Sequence, residues 1–300
     1  MDKYDFLHLG GGGSIVFAYI GTLSYLAQHK DELFVRGIFP PTQISATSAG
    51  TVVALLLILF KIEEMIELVL NTDNISSFLI FDLVYYEKTK NMFNIDTLIQ
   101  FISVLLSDKG YDFNTLTFGD FYANTRILLS ITGTSLTQGV THFFNKISTP
   151  TMLIKQAIII SMCVPICFCP IEFDNQLFCD GAVITDMSEV YKTAKRPLFL
   201  FTRVQYQNIK NLHDLNVTSN TPVSLENLEL HGKYLAVVFE MSINTILNYM
   251  KQDIEKKSDV IYLTSKHSFL ECAHLNDANT IYQIILYGFE TAQLFYKKKR

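Results

Sequence analysis

A short apolar run at residues 6–9 opens the chain. Four glycines follow, and then apolar residues recur at helical spacing over 14–28. A second short apolar run, 43–46, is entered from Pro40-Pro41. It leads into a long apolar stretch, 49–70, whose second half turns amphipathic at Lys61-Ile62-Glu63-Glu64. Strand, loop and helix thus occur twice in succession, and parallel neighbours need such crossovers. The pattern predicts an α/β fold with a mainly parallel sheet and helices on both faces. Ser14 is expected to cap the first helix. Further along, residues 126–132 and 140–144 read as paired strands, 150–162 as a helix, and 171–173 with 176–179 as a hairpin closed by Asp174-Asn175. Residues 197–202 and 260–263 read as buried strands, and 224–257 and 276–296 as helices. Residues 72–110 carry many aromatics and one helical pattern, 95–106, but no strand alternation. They are expected to be a helical insertion over the site, a lid, within one domain spanning 1–300.

Composition narrows the class. Apolar residues make up 49% and charged residues 18% of the chain, a globular balance. A net charge of -5 argues against a nucleic-acid binder, which normally shows a basic face. The cysteines, Cys163, Cys167, Cys169, Cys179 and Cys272, are odd in number, form no Cys-x-x-Cys pair and lie mostly in apolar stretches. Reduced, buried thiols in a cytoplasmic setting are expected. Cys167-x-Cys169 has no partner pair or histidine at zinc spacing, and the acidic residues form no calcium loop, so no metal or cofactor is expected. The acidic start, Met1-Asp2-Lys3-Tyr4-Asp5, is unlike a signal peptide. The longest apolar run, 52–60, is far short of the roughly 20 residues of a membrane span. Membrane contact is therefore expected to be peripheral, through the apolar, aromatic stretch Phe78-Leu79-Ile80-Phe81 and the basic end Lys297-Lys298-Lys299-Arg300.

Three segments carry chemistry. Gly10-Gly11-Gly12-Gly13, between a strand and a helix, can turn backbone N–H groups toward an anion. It is neither a phosphate loop, which needs Gly-Lys-Ser/Thr, nor a dinucleotide fingerprint, whose third glycine would fall on Ile15. Ala46-Thr47-Ser48-Ala49-Gly50 is nearly a Gly-x-Ser-x-Gly elbow between a strand and a helix. Such a turn lifts a serine hydroxyl above a helix N-terminus. Asp180-Gly181-Ala182 would be only a turn on its own.

In this order and at this separation, the three segments resemble the patatin-like phospholipase family. That family shows Gly-Gly-Gly-x-Arg/Lys-Gly, a Gly-x-Ser-x-Gly elbow and a distal Asp-Gly-Gly/Ala. The stretches 117–122 and 161–165, the pattern 168–184, and Tyr287-Gly288 with Ala292 are also similar to family segments. The resemblance implies the patatin-like three-layer fold and a lipid acyl hydrolase of the phospholipase A type, acting on phospholipids or other acyl lipids. It implies Ser48 as nucleophile, Asp180 as its base, and an oxyanion site from Gly11, Gly12 and Gly13. Ala46, Gly50, Gly181 and Ala182 are the supporting motif positions. Two departures stand out: the family's Arg/Lys and final glycine fall on Ile15 and Val16, and its Asn-x-Pro falls on Asp186 and Ser188. Two other readings stay open. One is a Ser–Asp–His esterase drawing on His231, His267 or His274. The other is a catalytically weakened lipid-binding or scaffold protein.

Overall fold

A computed structural model describes residues 3–71, 83–91, 94–165, 167–184, 186–204, 241–242, 244–248, 254–265 and 277–299. The expected strands form one eight-stranded sheet. They are β1 (Phe6–Leu9), β2 (Gln43–Ala46), β3 (Leu128–Ser135), β4 (Val140–Asn145), β5 (Ile171–Phe173), β6 (Gln176–Asp180), β7 (Pro197–Val204) and β8 (Asp259–Ser265). The order is β5-β6-β3-β2-β1-β7-β8, with β4 also on β3. The pairs β1–β2, β1–β7, β2–β3 and β7–β8 are parallel, whereas β4, β5 and β6 join antiparallel.

The register along β3 decides which strand ends meet. Ser130 and Ile131 pair with β2 on one side and β4 on the other; Gly133 and Ser135 pair with β4 and β6. A strand has two hydrogen-bonding edges, and β4 occupies one of them from Ser130 to Ser135. Strands β2 and β6 therefore share the other edge, meeting end to end where Ala46 pairs with Ile131 and Asp180 with Gly133.

The helices are α1 (Phe17–Gln28), α2 (Lys30–Leu33), α3 (Gly50–Leu59), α4 (Ile62–Asn71), α5 (Leu83–Thr89), α6 (Asp96–Asp108), α7 (Phe118–Thr125), α8 (Ile154–Ser161), α9 (Ser188–Thr193) and α10 (Ala278–Lys297). One face of the sheet, with Leu7, Leu9, Ile44, Leu198 and Leu200, packs in the large core with α1, α3, α6, α8 and α10. The other, with Phe6, Phe199, Phe201 and Val260, packs against Val190 of α9 and against Leu247 and Ile254. The layers are thus helix, sheet, helix.

Several boundaries differ from those expected. The stretch 49–70 is two helices, because Phe60 is extended (φ -125, ψ 153) and the Lys61 amide is capped by Glu64 at 3.1 Å. The break lets α3 lie buried while α4 turns its acidic face to solvent. A 3₁₀ turn, Gly13–Val16, precedes α1, whose N-cap position is Val16 with no side-chain cap; Ser14 is not the capping position. Helix α8 starts late because the Pro150 and Met152 carbonyls accept the amides of Gly119 and Phe118. The hairpin turn is as expected, with Asp174 and Asn175 at φ 51 and 57. Within the insertion, α6 contributes Leu98, Ile99, Ile102, Leu105 and Leu106 to the main core. Residues 72–82 and 92–93 of the insertion, most of the helix expected at 224–257, and Cys272 lie outside the described residues.

Helices α1 and α10 cross at backbone contact. A Cβ on Gly21 would lie 1.7 Å from the Ile285 carbonyl oxygen, and one on Gly288 would lie 1.8 Å from that of Ala18. The Thr22 hydroxyl donates to the Gly288 carbonyl at 3.0 Å. Gly288→Ala is therefore expected to lower stability by at least about 1–3 kcal/mol, since neither backbone can give way cheaply. Thermal or denaturant unfolding checks this, and an unchanged midpoint would contradict the crossing.

Candidate active site

Ser48 follows β2 at the carboxyl edge of the sheet. Its backbone sits at φ 53, in the left-handed region that a side chain normally avoids. Three bonds secure the turn. The Thr47 amide donates to the Leu9 carbonyl at 2.9 Å, the Thr51 hydroxyl to the Ser48 carbonyl at 2.7 Å, and the Ser48 amide to Ser161 Oγ at 2.8 Å. Ala46 is fully buried in β2, and Gly50 opens α3, where a Cβ would lie 2.5 Å from the Leu9 carbonyl oxygen.

The glycine loop wraps over this turn. A Cβ on Gly11 would stand 2.9 Å from the Cβ of Ser48 and 3.6 Å from its Oγ. The Gly11 carbonyl accepts the Thr202 hydroxyl from β7 at 2.6 Å, which pins the loop to the sheet. Gly12 is at φ 156 against that threonine, and Gly13 is at φ 55, so the loop path depends on glycine. Among the described residues, the amides of Gly11 and Gly12 donate no hydrogen bond. Ile15 and Val16, at 6% and 5% exposure, turn into the core. The positions where the family pattern carries a cation and a glycine thus serve packing here.

Asp180 ends β6 and is 1% exposed. Its Oδ1 accepts the Ala182 amide at 2.8 Å, while Oδ2 is buried without a hydrogen bond of standard geometry. Burial pushes the carboxyl up to about 7; the Ser48 hydroxyl beside it, and the Ala182 amide, pull the other way. That hydroxyl is near enough to act on the carboxyl, but the bond is not closed, as is common before substrate binds. Gly181 lies over Thr132, whose hydroxyl would be 2.2 Å from a Cβ there. The buried free thiols of Cys163, Cys167 and Cys179 are each pushed up to about 12, chiefly by burial and then by Asp180. They remain neutral neighbours of the carboxyl. The Ser161 acceptor was not read from the sequence; only its place in the family-like stretch 161–165 pointed that way.

No described histidine hydrogen-bonds to Ser48 or Asp180. His8 is buried against Ser45 at 2.6 Å and lowered to about 3 by burial; His29 faces the Tyr25 carbonyl, and His142 faces Gln138. His231, His267 and His274 lie outside the described residues. Asp186 and Ser188 form a local turn, with the Ser188 amide on Asp186 Oδ1 at 2.8 Å, at the start of α9. Among the described residues, no group of three His, Cys, Asp or Glu side chains could hold a metal ion, and no helix is long and apolar enough to cross a membrane.

The fold and this turn define an α/β protein with a serine elbow at the carboxyl edge of a mainly parallel sheet. Its sequence matches the patatin-like phospholipase family over residues 7–189, which include every position of the site, and the chain belongs to that family. It is 31% identical over 180 residues to the uncharacterized protein R571 of Acanthamoeba polyphaga mimivirus, covering 58% of this chain and 57% of that relative. Among solved structures, VipD from Legionella pneumophila is similar with a TM-score of 0.56 at 14% identity, covering 99% of this chain and 67% of VipD. The type III effector protein ExoU of Pseudomonas aeruginosa is similar with a TM-score of 0.51 at 14% identity, covering 99% of this chain and 53% of ExoU. At that identity the two structures speak for the fold, which is patatin-like.

The raised carboxyl has a consequence for stability. Below about pH 4, near its ordinary value of 3.8, Asp180 is protonated in both folded and unfolded chains. Between there and about 7 only the folded chain keeps the proton, so this group's contribution to stability is lost as pH rises. The total is roughly 2–4 kcal/mol. Asp180→Asn, which never ionises, should therefore gain stability relative to the natural protein as pH rises from 4 to 7 and hold that gain above it. Denaturant unfolding across that range measures it; a constant difference would mean the carboxyl is not desolvated.

Proposed function

We propose that this chain is a lipid acyl hydrolase of the phospholipase A type, working through a Ser48–Asp180 dyad. The observation that carries the reading is a carboxyl buried with no cation beside it among the described residues, raised to about 7, next to the hydroxyl of a serine held at positive φ. An aspartate is ordinarily too acidic to take a proton near neutrality; this one is tuned to do so.

In this reading Ser48 Oγ attacks the ester carbonyl carbon, and its proton passes to Asp180 Oδ2, the oxygen without a hydrogen bond. The bond to the leaving alcohol breaks as that alcohol takes the proton from Asp180. A water then attacks the acyl-serine, giving its proton to Asp180, and the fatty acid departs as Ser48 regains a proton. The amides of Gly11, Gly12 and Gly13 stabilise the oxyanion, an effect worth about 3–4 kcal/mol per donor. The free donors at Gly11 and Gly12 support this assignment.

The substrate reaches the serine across the carboxyl edge of the sheet, and the bilayer contact belongs there. Leu136, Val140 and Leu177, each 45–48% exposed, lie beyond the Gly133–Asp180 pair on that edge. The basic end does not support the contact first expected of it. Lys299 bonds to Asp259, the first residue of β8, and so sits at the opposite edge. We assign the lid role within 72–110 to α5 and the turn that follows it at Asn91. There Asn91 Oδ1 accepts the Cys169 amide at 2.7 Å, on the loop leading to β5.

Ser48→Ala should abolish ester hydrolysis and labelling by a fluorophosphonate probe, and Asp180→Asn should lower turnover by roughly 10³- to 10⁴-fold. Activity of the natural protein should rise with pH through about 7. Single Ala replacements of His231, His267 and His274 should each keep most activity; a folded, inactive one would establish a histidine triad instead. In vesicle cosedimentation, Leu136→Ser with Leu177→Ser should reduce binding, whereas Lys297→Glu with Lys298→Glu should not. The reverse result would return the contact to the basic end.

A further inference from the structure

Two bonds from one short segment reach both members of the proposed dyad. Ser161 closes α8 and is fully buried, and its Oγ accepts the Ser48 amide at 2.8 Å. Two residues later, the Cys163 carbonyl accepts the Asp180 amide at 2.8 Å. Neither bond belongs to the sheet or to a helix ladder. We propose that the segment 161–163 is the positioning element of the site, setting the separation of Ser48 and Asp180, with Ser161 as the positioning residue on the nucleophile side. The proposal rests on the dyad reading.

The sheet alone leaves this separation open. Strands β2 and β6 meet end to end along β3 with no ladder bond between them, so a third element has to fix the gap. Helix α8 is suited to this because it lies tightly on β3: a Cβ on Gly133, the partner of Asp180, would be 2.7 Å from Ile160 Cγ2. The turn after α8 is itself tied down, since the Cys163 thiol donates to the Cys169 carbonyl at 2.7 Å.

At the serine, a left-handed backbone costs roughly 1–3 kcal/mol and persists only where its surroundings over-determine it. The hydroxyl of Thr51 holds the peptide group after Ser48, and that of Ser161 holds the one before it. With both peptides fixed, the side-chain torsion is the freedom left to Oγ. The same bond occupies the Ser48 amide, so an oxyanion has to find its donors elsewhere, consistent with the free amides of Gly11 and Gly12. At the base, the amide is held by Cys163 and Oδ1 by Ala182, which leaves Oδ2 as the oxygen available to the serine.

A merely structural hydroxyl would satisfy a buried N–H and do no more. The two roles separate in Ser161→Ala. A misplacement of about 1 Å costs on the order of 100-fold in rate. The variant should therefore lose about 10- to 100-fold in kcat on a soluble short-chain ester and in the rate of fluorophosphonate labelling, with KM within about threefold. Because the Ser48 hydroxyl holds the Asp180 carboxyl down, loosening their contact should also move the acid limb of the pH profile upward. Ser161→Thr, which keeps the acceptor oxygen, should restore most of the rate. If Ser161→Ala fails to fold, Ser161→Cys, with a weak acceptor of similar size, should show the same losses in smaller measure. A folded Ser161→Ala or Ser161→Cys with unchanged kcat, labelling rate and acid limb, differing only in melting temperature, would overturn the proposal. Ser48→Ala with full activity would instead remove the dyad reading on which it rests.

Discussion

Strand β3 has one free edge, and two other strands compete for it. Because β4 takes the opposite edge from Ser130 to Ser135, β2 and β6 share the remaining edge and stop where they meet. Everything distinctive about the site lies at that junction. The serine turn leaves β2 there, the carboxyl ends β6 there, and the glycine loop covers the gap from β1. Residues remote in sequence are joined by a rule of hydrogen-bond geometry, and no charge pairing is needed to bring them together.

The junction also explains the character of the carboxyl. A strand end inside a sheet is screened from water by neighbouring strands, and Asp180 has neutral thiols and hydroxyls beside it. Its proton affinity rises for lack of solvent, and the same desolvation weighs on the folded state once it ionises. Reactivity and strain have one origin here, as with the left-handed backbone of Ser48.

Much of this was legible in the sequence. Phe6–Leu9 and Gln43–Ala46 were read to the residue, because short buried strands bounded by glycine and proline leave a sharp pattern. Asp174-Asn175 gave its turn for the same reason. The three motifs could be placed in order, but their meeting could not, since the sharing of β3 is a long-range pairing with no local signal. The break at Phe60 was hidden because no glycine or proline marks it and helix-forming residues stand on both sides; the departure from helix is fixed by a cap from Glu64. Ile15 and Val16 read as a weakness of the loop; in the fold they are core residues under it. The Ser161 acceptor carried no pattern beyond its family-like stretch, since a single buried hydroxyl has no periodicity.

At the far edge of the sheet, one carboxylate gathers both ends of the described chain. Asp259 takes the Tyr4 hydroxyl, the Arg196 guanidinium at 3.1 Å and the Lys299 ammonium, while Tyr296 reaches Tyr4 at 3.2 Å. Polypeptide joined before Tyr4 or after Lys299 would emerge from the surface turned away from Ser48. Nature or an engineer could thus append modules at either end, such as a targeting sequence, a tether or a second catalytic unit, without obstructing the entrance. The unit is built like a plug-in cartridge, its connectors on the back and the serine turn on the front.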